Sequence, residues 1–169
     1  MRYFPQTCLL ALMMLVAACA AQEQLLGKSA VVPVGLDLSG TWQLRTDSQE
    51  GIRRGLSSDS ALVNVFLETG ELLKLTQTDF GLFVSFDRSV VEEYRFGEHR
   101  TVNVGPIEAE RVSGWEGQRY VIETLDKDGA KLIDSYRLVA DGVQLMRTFK
   151  VTRRDTVQVD VEQVFDRAF

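Results

Sequence analysis

The chain has 169 residues, of which 45% are hydrophobic and 25% charged, and this composition is ordinary for a single globular domain. The formal net charge of −5 at pH 7 argues against a nucleic-acid-binding surface, because contacts with phosphates need a stripe of basic residues. The basic residues are instead scattered among acidic ones. We therefore expect no nucleic-acid partner.

The first residues of the chain have the pattern of an export signal. Arg2 gives a positive start, an almost unbroken apolar run extends from Cys8 to Val16, and small residues follow it. The run is shorter than the roughly 20 apolar residues that a membrane-spanning helix needs. The sequence therefore predicts a signal peptide at this end and not a transmembrane helix.

The end of this signal, Leu15-Val16-Ala17-Ala18-Cys19, resembles the lipobox of bacterial lipoproteins. The resemblance implies that residues 1–18 are removed and that Cys19 becomes the lipidated N-terminus, which anchors the protein to a membrane. Because Ala20 stands where an aspartate would retain such proteins in the inner membrane, the resemblance also implies the outer membrane, facing the periplasm.

The alternative is an ordinary secretory signal, because Ala18-Cys19-Ala20 also fits a small-x-small cleavage site. Two observations favour lipidation. If Cys8 leaves with the signal, Cys19 is the only remaining cysteine, so it has no partner for an intramolecular disulfide. A thioether to lipid also protects an exported thiol from oxidation.

The residues that follow divide into a linker and the start of a domain. Residues 19–37 are small, polar and weakly patterned, which predicts a lipidated tether followed by one domain over 38–169. Gly40 to Arg45 is a predicted first strand with Trp42 and Leu44 on one face. Asp47 to Gly70 is ambiguous between a strand and a helix, and we predict a short helix or lid segment there.

After Gly70 the sequence predicts strands joined by short turns. A turn at Asp79-Phe80 sets Gln77 opposite Leu82, Leu75 opposite Val84 and Leu73 opposite Phe86. Further strands are predicted from Glu92 to Phe96, Arg100 to Val104, Ile107 to Trp115, Lys131 to Ala140, Val143 to Thr152 and Thr156 to Phe165. Asp141-Gly142 is a strong hairpin turn, and it sets Tyr136 opposite Arg147.

The central hairpin, Arg111 to Leu125, shows the pattern most clearly. A turn at Glu116-Gly117 would pair Trp115 with Gln118, Ser113 with Tyr120 and Arg111 with Ile122, which places these residues on one, mostly apolar face. The reverse face carries Glu110, Val112, Arg119 and Glu123, and its charges suit contact with water.

Nine or ten such strands predict an all-β fold, a single antiparallel up-and-down barrel, because closure buries one face and removes the sheet edges. A two-sheet sandwich is the alternative. Gly40-Thr41-Trp42 resembles the Gly-x-Trp opening of the lipocalin-like, or calycin, barrels. That resemblance implies that Arg167, after the last strand, covers Trp42. From Gln77 to Arg167 the chain is also similar to uncharacterised bacterial secreted proteins that end in Phe-Asp-Arg.

The residues that commonly carry catalysis are sparse in this sequence. His99 is the only histidine, it lacks a nucleophile motif around it, and no cysteine of the mature chain is free for a metal. Glu92 and Glu93 alternate across a strand and so face opposite ways. The sequence has no P-loop and no Gly-x-Gly-x-x-Gly. We therefore expect no catalytic residues, no metal site and no cofactor.

Polar residues on faces that should point inward carry the functional hypothesis. Arg147, Tyr136 and Asp134 share a face with apolar residues of the last hairpin, and Gln163 does so on the final strand. Since an unpaired buried charge is costly, the arginines need partners or a cavity. We predict that the barrel binds the acidic head of an amphipathic ligand or lipid. The predicted ligand-binding residues are Arg111, Arg147, Tyr136 and Gln163 at the head and Trp115, Tyr120 and Phe149 at the tail.

Two alternatives keep the same residues but change their role. Asp134 can neutralise Arg147 while Arg111 extends to a barrel mouth, which leaves a packed interior. The protein would then be a non-enzymatic interaction or assembly module that presents its charged outer face, or the segment from Asp47 to Gly70, to a periplasmic partner.

Overall fold

The computed structural model describes residues 23–46, 50–53, 70–153 and 156–168. Within these ranges eleven strands form one antiparallel sheet. The strands are β1 (Gly40–Leu44), β2 (Glu50–Arg53), β3 (Leu72–Gln77), β4 (Gly81–Phe86), β5 (Val90–Arg95), β6 (Glu98–Val104), β7 (Ile107–Glu116), β8 (Arg119–Asp126), β9 (Ala130–Val139), β10 (Gln144–Arg153) and β11 (Thr156–Ala168). In the described part of the chain, no helix is long and apolar enough to cross a bilayer.

The strands form a nearly closed barrel, which confirms the predicted fold class. Their order is β5-β4-β3-β1-β11-β10-β9-β8-β7-β6, and β2 pairs with β11 beyond the end of β1. The prediction of consecutive hairpins is wrong at one place, since β5 and β6 are not paired through their backbones. Side chains bridge this seam instead. Arg100 Nη2 donates to the Glu93 carbonyl at 3.1 Å, and Ser113 Oγ donates to the Arg95 carbonyl at 2.7 Å.

The predicted registers hold in two hairpins and shift in the third. Between β3 and β4, Leu75 lies opposite Val84, and between β9 and β10, Arg147 lies opposite Tyr136, both as predicted. In the central hairpin Trp115 pairs with Tyr120 and not with Gln118. The reason is Gly117, whose φ of +59° moves the two-residue turn one position along the chain. Each residue of β7 thus pairs with a residue of β8 two positions further along than predicted. Because alternate residues of a strand share a face, the predicted inner face is unchanged.

The two ends of the barrel are named by their turns. We call one end the capped end; it carries the turns at 78–80, 96–97, 117–118 and 140–143, and we call the opposite end the far end.

Apolar side chains fill the barrel in two clusters. The larger cluster contains Leu38, Trp42, Leu73, Leu75, Leu82, Val84, Phe86, Tyr94, Phe96, Trp115, Tyr120, Ile122, Tyr136, Leu145 and Phe165. The far-end cluster contains Ala109, Ala130, Leu132, Phe149, Val151, Val159 and Val161.

Residues 23–39, which we call the strap, lie against the barrel. Leu25 packs on Val112 and Leu125, and Lys28 forms ion pairs with Glu116 and Glu123. The face of the central hairpin that we predict to be wet is therefore partly covered, because both Val112 and Glu123 are buried. The described part of the predicted tether thus follows the barrel wall. Its lipidation at Cys19 lies outside the described residues and stays a prediction.

The strap then crosses the capped end. Ser29 and Trp115 exchange two backbone hydrogen bonds, of 3.3 and 2.9 Å. Farther along, Gln77 Nε2 donates to the Leu36 carbonyl, and the Gln77 side-chain oxygen accepts from the Leu38 amide. The strap therefore connects the capped end to the point on the barrel wall where Glu23 lies.

The segment that is ambiguous in sequence is only partly described. Within Asp47 to Gly70, β2 is a strand that pairs with Val159 to Glu162 of β11, and the sequence pattern does not predict it. The predicted short helix or lid falls on residues that lie outside the described part of the chain.

The ion pairs of the strap predict that it detaches in acid. The hydrogen bond from Lys28 lowers the pKa of Glu116 below its usual 4.5. Burial opposes ionisation of Glu123, but Lys28 and Lys131 outweigh it and also lower its pKa. Because both carboxylates have depressed pKa values, their contribution is present above pH 4.5 and is lost as the pH falls through the lowered values.

NMR of the backbone amides of Ser29 and Trp115 measures this detachment. We expect both signals to stay constant from pH 7 to pH 5 and to shift together below pH 4.5, before the barrel unfolds. Constant signals down to the pH at which the whole barrel unfolds would show that the ion pairs do not hold the strap.

Candidate functional site

A buried ion pair occupies the middle of the barrel. Arg147 of β10 is 1% exposed and Asp134 of β9 is 4% exposed. Arg147 Nε donates to Asp134 Oδ1 at 3.0 Å, and Arg147 Nη2 donates to Asp134 Oδ2 at 2.8 Å. The hydroxyl of Tyr136 also donates to Asp134 Oδ2, at 2.9 Å. This bidentate geometry is the one that stabilises a buried guanidinium best.

Both partners of the carboxylate keep their protons. Burial opposes the positive charge of Arg147, but Asp134 outweighs it, so the pKa of the guanidinium is raised. Burial raises the pKa of the Tyr136 hydroxyl well above its usual value, so Tyr136 remains a hydrogen-bond donor. Asp134 therefore neutralises Arg147, which is one part of the packed-barrel alternative; the packed interior itself stays a prediction.

The guanidinium of Arg147 also contacts both apolar clusters. It lies 5.0 Å from the ring centroid of Phe86 and 5.5 Å from that of Tyr136, two members of the larger cluster. It lies 5.1 Å from the ring of Phe149, which belongs to the far-end cluster. Arg147 thus marks the boundary between the two clusters, and the rings supply cation–π contacts there.

Arg111 forms a second, looser group at the seam of the barrel. Its Nε donates to Thr124 Oγ1 at 3.1 Å, and its Nη1 lies 3.5 Å from Glu92 Oε2. The guanidinium stacks 5.4 Å from the ring centroid of Tyr94. Burial raises the pKa of the Tyr94 hydroxyl, and Arg111, Asp134 and Arg147 all act on it electrostatically. Tyr94 therefore belongs to the Arg111 group, and we call the residues of the two arginine groups, together with Gln163, the polar belt: Glu92, Tyr94, Arg111, Thr124, Asp134, Tyr136, Arg147 and Gln163.

Two of the buried inner-face polar atoms that have no hydrogen-bond partner among the described residues lie on Gln163 and Trp115, and a third is the hydroxyl of Tyr120. One is Oε1 of Gln163, whose residue is the register partner of Arg147 on β11. The other is Nε1 of Trp115. Because buried polar groups are nearly always satisfied, both atoms indicate places where a water molecule or a ligand donates or accepts.

The structure separates the predicted tail residues. Trp115 and Tyr120 pack edge to face with each other and with Phe96, with ring centroids 5.2 to 5.6 Å apart. Phe149 lies in the far-end cluster, on the other side of Arg147. The predicted head residues Arg147, Tyr136 and Gln163 do lie together, whereas the contacts of Arg111 are with Thr124, Glu92 and Tyr94. Ligand binding by any of these residues stays a prediction.

Sequence reasoning missed Glu92, Tyr94, Thr124 and Phe86 as members of this site. The signal was present for Glu92, because it alternates with Tyr94 on a strand whose inner face was identifiable. The contact across the seam was not predictable, since β5 and β7 meet only through the curvature of the barrel.

Two clefts on the outer surface are lined by described residues. The larger, of about 490 Å³, lies between the start of the strap and the outer side of β6 to β8, and His99, Glu110 and Asp126 are among its lining residues. The other, of about 420 Å³, lies over β8 to β10. The described residues hold no group of three or more side chains suited to a metal ion.

The fold of this chain is similar to that of several solved structures. A secretory abundant heat soluble protein of Ramazzottius varieornatus matches 78% of this chain and 95% of its own, at 17% identity and a TM-score of 0.51. Zebrafish ileal bile acid-binding protein, in complex with cholic acid, matches 77% and 98%, at 14% and 0.51. Fatty-acid-binding protein 1 of Echinococcus granulosus matches 78% and 98%, at 16% and 0.52.

By fold, the chain is an antiparallel, lipocalin-like β-barrel. No protein-family model matches its sequence, and no curated protein matches it either. At these identities the likeness shows the fold alone. The barrel also has the packing that the Gly-x-Trp resemblance implies: the Arg167 guanidinium lies 4.2 Å from the ring centroid of the fully buried Trp42.

Proposed function

We propose that this protein is an envelope lipoprotein whose calycin barrel binds an amphipathic acidic small molecule or lipid. The head group contacts the polar belt at Arg111 and Gln163. The tail packs against the far-end cluster around Phe149. Cys19 carries the lipid anchor, at the outer membrane and facing the periplasm. The protein acts by binding and not by catalysis.

The observation that carries this proposal is the position of the polar belt between two apolar clusters. Arg147 touches both clusters, and Gln163 beside it keeps a side-chain oxygen that has no hydrogen-bond partner in the described part of the chain. An amphiphile needs this combination, a few polar groups for its head beside an apolar surface for its tail. The similar barrels from zebrafish and Echinococcus granulosus bear the names of a bile acid-binding and a fatty-acid-binding protein, which supports the same class of ligand.

Arg111 is the better candidate for the acidic head than Arg147. Arg147 already has a bidentate carboxylate, whereas Arg111 meets Glu92 at a single contact of 3.5 Å. Glu92 is also more exposed than Asp134, with 35% of its side chain accessible against 6%. A ligand carboxylate can therefore replace Glu92 beside Arg111 while Glu92 turns to water.

Titration with oleate tests the proposal. The full chain with Cys19→Ser avoids detergent, and the fluorescence of Trp42 and Trp115 reports binding because both lie within the barrel. We expect Arg111→Met to weaken oleate binding by about tenfold to a hundredfold, since a hydrogen bond to a charged group contributes about 1.5–3 kcal/mol. Oleyl alcohol should bind both proteins equally.

Arg119→Met is the matched control, because Arg119 is exposed near the β7–β8 turn and pairs only with Glu116 among the described residues. It should leave oleate affinity unchanged. Equal loss of oleate and oleyl alcohol binding in Arg111→Met would show that Arg111 shapes the interior without recognising a carboxylate.

A second candidate is a non-enzymatic interaction or assembly module with a packed barrel. It is favoured by the neutralised Arg147 and by exposed apolar side chains at the capped end, namely Val31, Val34, Phe80 and Val143. A protein that binds neither oleate nor oleyl alcohol would support this candidate.

A further inference from the structure

The strap fixes where the N-terminal side of the chain leaves the barrel. Glu23 accepts a hydrogen bond from Lys131 Nζ at 2.9 Å, and Lys131 is the second residue of β9, next to the turn at 127–129. This turn belongs to the far end. The strap thus begins at the far end, follows the barrel wall and crosses the capped end only after Ser29.

Several contacts hold the strap on this path along the barrel wall. Lys131 binds Glu123 at 3.0 Å as well as Glu23, and Lys28 binds Glu123 from the other side. The side chain of Lys28 is only 6% exposed. Leu25 is buried between these ion pairs, on Val112 and Leu125. The contacts form one continuous clasp, so the first described residues cannot move to the capped end while the clasp is closed.

The short length of chain between Cys19 and Glu23 limits which end of the barrel can face the membrane. Cys19 precedes Glu23 by four residues, which span at most about 14 Å when fully extended. The far-end turn after β8 and the capped-end turn before it are separated by a strand of eight residues, or about 26 Å. A lipid on Cys19 therefore cannot hold the capped end against a bilayer while the strap is clasped.

We propose that the far end of the barrel faces the membrane in the lipidated protein. The proposal rests on the lipidation of Cys19 proposed above. The bilayer surface is then the partner of the far-end turns at 105–106 and 127–129. The apolar cluster around Phe149 and Val151 lies next to these turns, so a lipid that leaves the bilayer meets this cluster before it meets the polar belt.

This orientation opposes the one that surface hydrophobicity alone would favour. Most of the exposed large apolar side chains among the described residues, namely Val31, Val34, Phe80 and Val143, lie at the capped end, whereas Val91 lies near the far end and Leu26 on the strap. If the capped-end side chains were the membrane contact, the clasp would have to open. The two orientations therefore predict opposite results for probes placed at the two ends of β8.

Depth-dependent fluorescence quenching tests the orientation. The lipidated full chain is reconstituted in vesicles of phosphatidylethanolamine and phosphatidylglycerol that contain a nitroxide-labelled lipid. A fluorophore is attached at Lys127→Cys, beside the far-end turn, or at Gln118→Cys, beside the capped-end turn; both positions are exposed. We expect the probe at 127 to be quenched several-fold more strongly than the probe at 118.

A strap variant tests the cause. A Cβ at position 114 would lie 2.5 Å from the Ser29 carbonyl oxygen and 2.7 Å from Lys28 Cβ, so Gly114→Ala should lift the strap and reduce the difference between the probes. Gly27→Ala is the control, since a Cβ there meets no atom within 4 Å. If Gly114→Ala folds poorly, Lys28→Gln replaces it in the experiment. Lys28→Gln removes the ion pairs to Glu116 and Glu123 and should also reduce the difference between the probes.

The mass of the N-terminal peptide separates the two ways in which the proposal can fail. A chain without acyl groups on Cys19 overturns both the anchoring and the orientation. An acylated chain with equal quenching at both positions, or with stronger quenching at 118, overturns the orientation alone. A difference that survives both Gly114→Ala and Lys28→Gln would show that the strap does not set it.

Discussion

Asp134→Ala is expected to lower the free energy of unfolding by about 3–5 kcal/mol. The substitution leaves Arg147, which is 1% exposed, with a positive charge and without its bidentate partner in the middle of the barrel. It also removes the acceptor of the Tyr136 hydroxyl. Equilibrium urea denaturation, followed by tryptophan fluorescence, measures the change.

Two further variants show whether the loss of stability comes from the buried ion pair. Asp160→Ala removes an exposed carboxylate that lies 3.5 Å from Lys150, and it should change stability by less than about 1 kcal/mol. The triple variant Asp134→Leu, Tyr136→Phe, Arg147→Met replaces all three side chains of the buried ion pair and its tyrosine donor with apolar ones. It should recover most of the stability that Asp134→Ala loses. A triple variant as unstable as Asp134→Ala would mean that packing at these positions, and not the loss of the ion pair with Arg147, dominates the decrease in stability.

Trp42→Ala should destabilise the barrel by about 3–5 kcal/mol as well, through loss of packing. Trp42 is fully buried, its Nε1 donates to the Leu38 carbonyl at 3.2 Å, and the Arg167 guanidinium covers its ring. The indole therefore joins the strap, β1 and β11 at one point. Urea denaturation followed by far-ultraviolet circular dichroism measures the loss without relying on the missing fluorophore.

Arg167→Met separates the covering contact from the packing. It removes the cation–π contact and the hydrogen bond from Nη1 to the Ser39 carbonyl, and it should lower stability by about 1–2 kcal/mol. Val143→Ala, at an exposed position, should be nearly neutral. If Trp42→Ala were as mild as Val143→Ala, the larger cluster would not depend on the indole.

Alternation and turn chemistry predicted most of the barrel. The turn at Asp79-Phe80 has two central residues and unambiguous flanking strands, so the register of Leu75 with Val84 follows directly. The same holds for Tyr136 with Arg147, because Asp141 and Gly142 accept positive φ. Alternation also brought the predicted head residues on β9, β10 and β11 to one place.

What the sequence did not predict depends on contacts between distant parts of the chain. The turn at Gly117 shifted because the single glycine between Glu116 and Gln118 fits two turn positions, and only the paired strands decide between them. The strap has little periodicity of its own, and its place is set by ion pairs such as Lys28 to Glu123 across 95 positions. The partner of Arg111 across the seam, Glu92, depends likewise on barrel curvature.

Native mass spectrometry of the Cys19→Ser full chain, exported and purified without detergent, tests the binding of an acidic amphiphile in the barrel most directly. We expect the protein to retain one amphiphile, or to take up one oleate on incubation, and Arg111→Met to lose that mass while it stays folded. A Cys19→Ser protein with Arg111 intact that remains free of added mass after incubation with oleate would contradict the account.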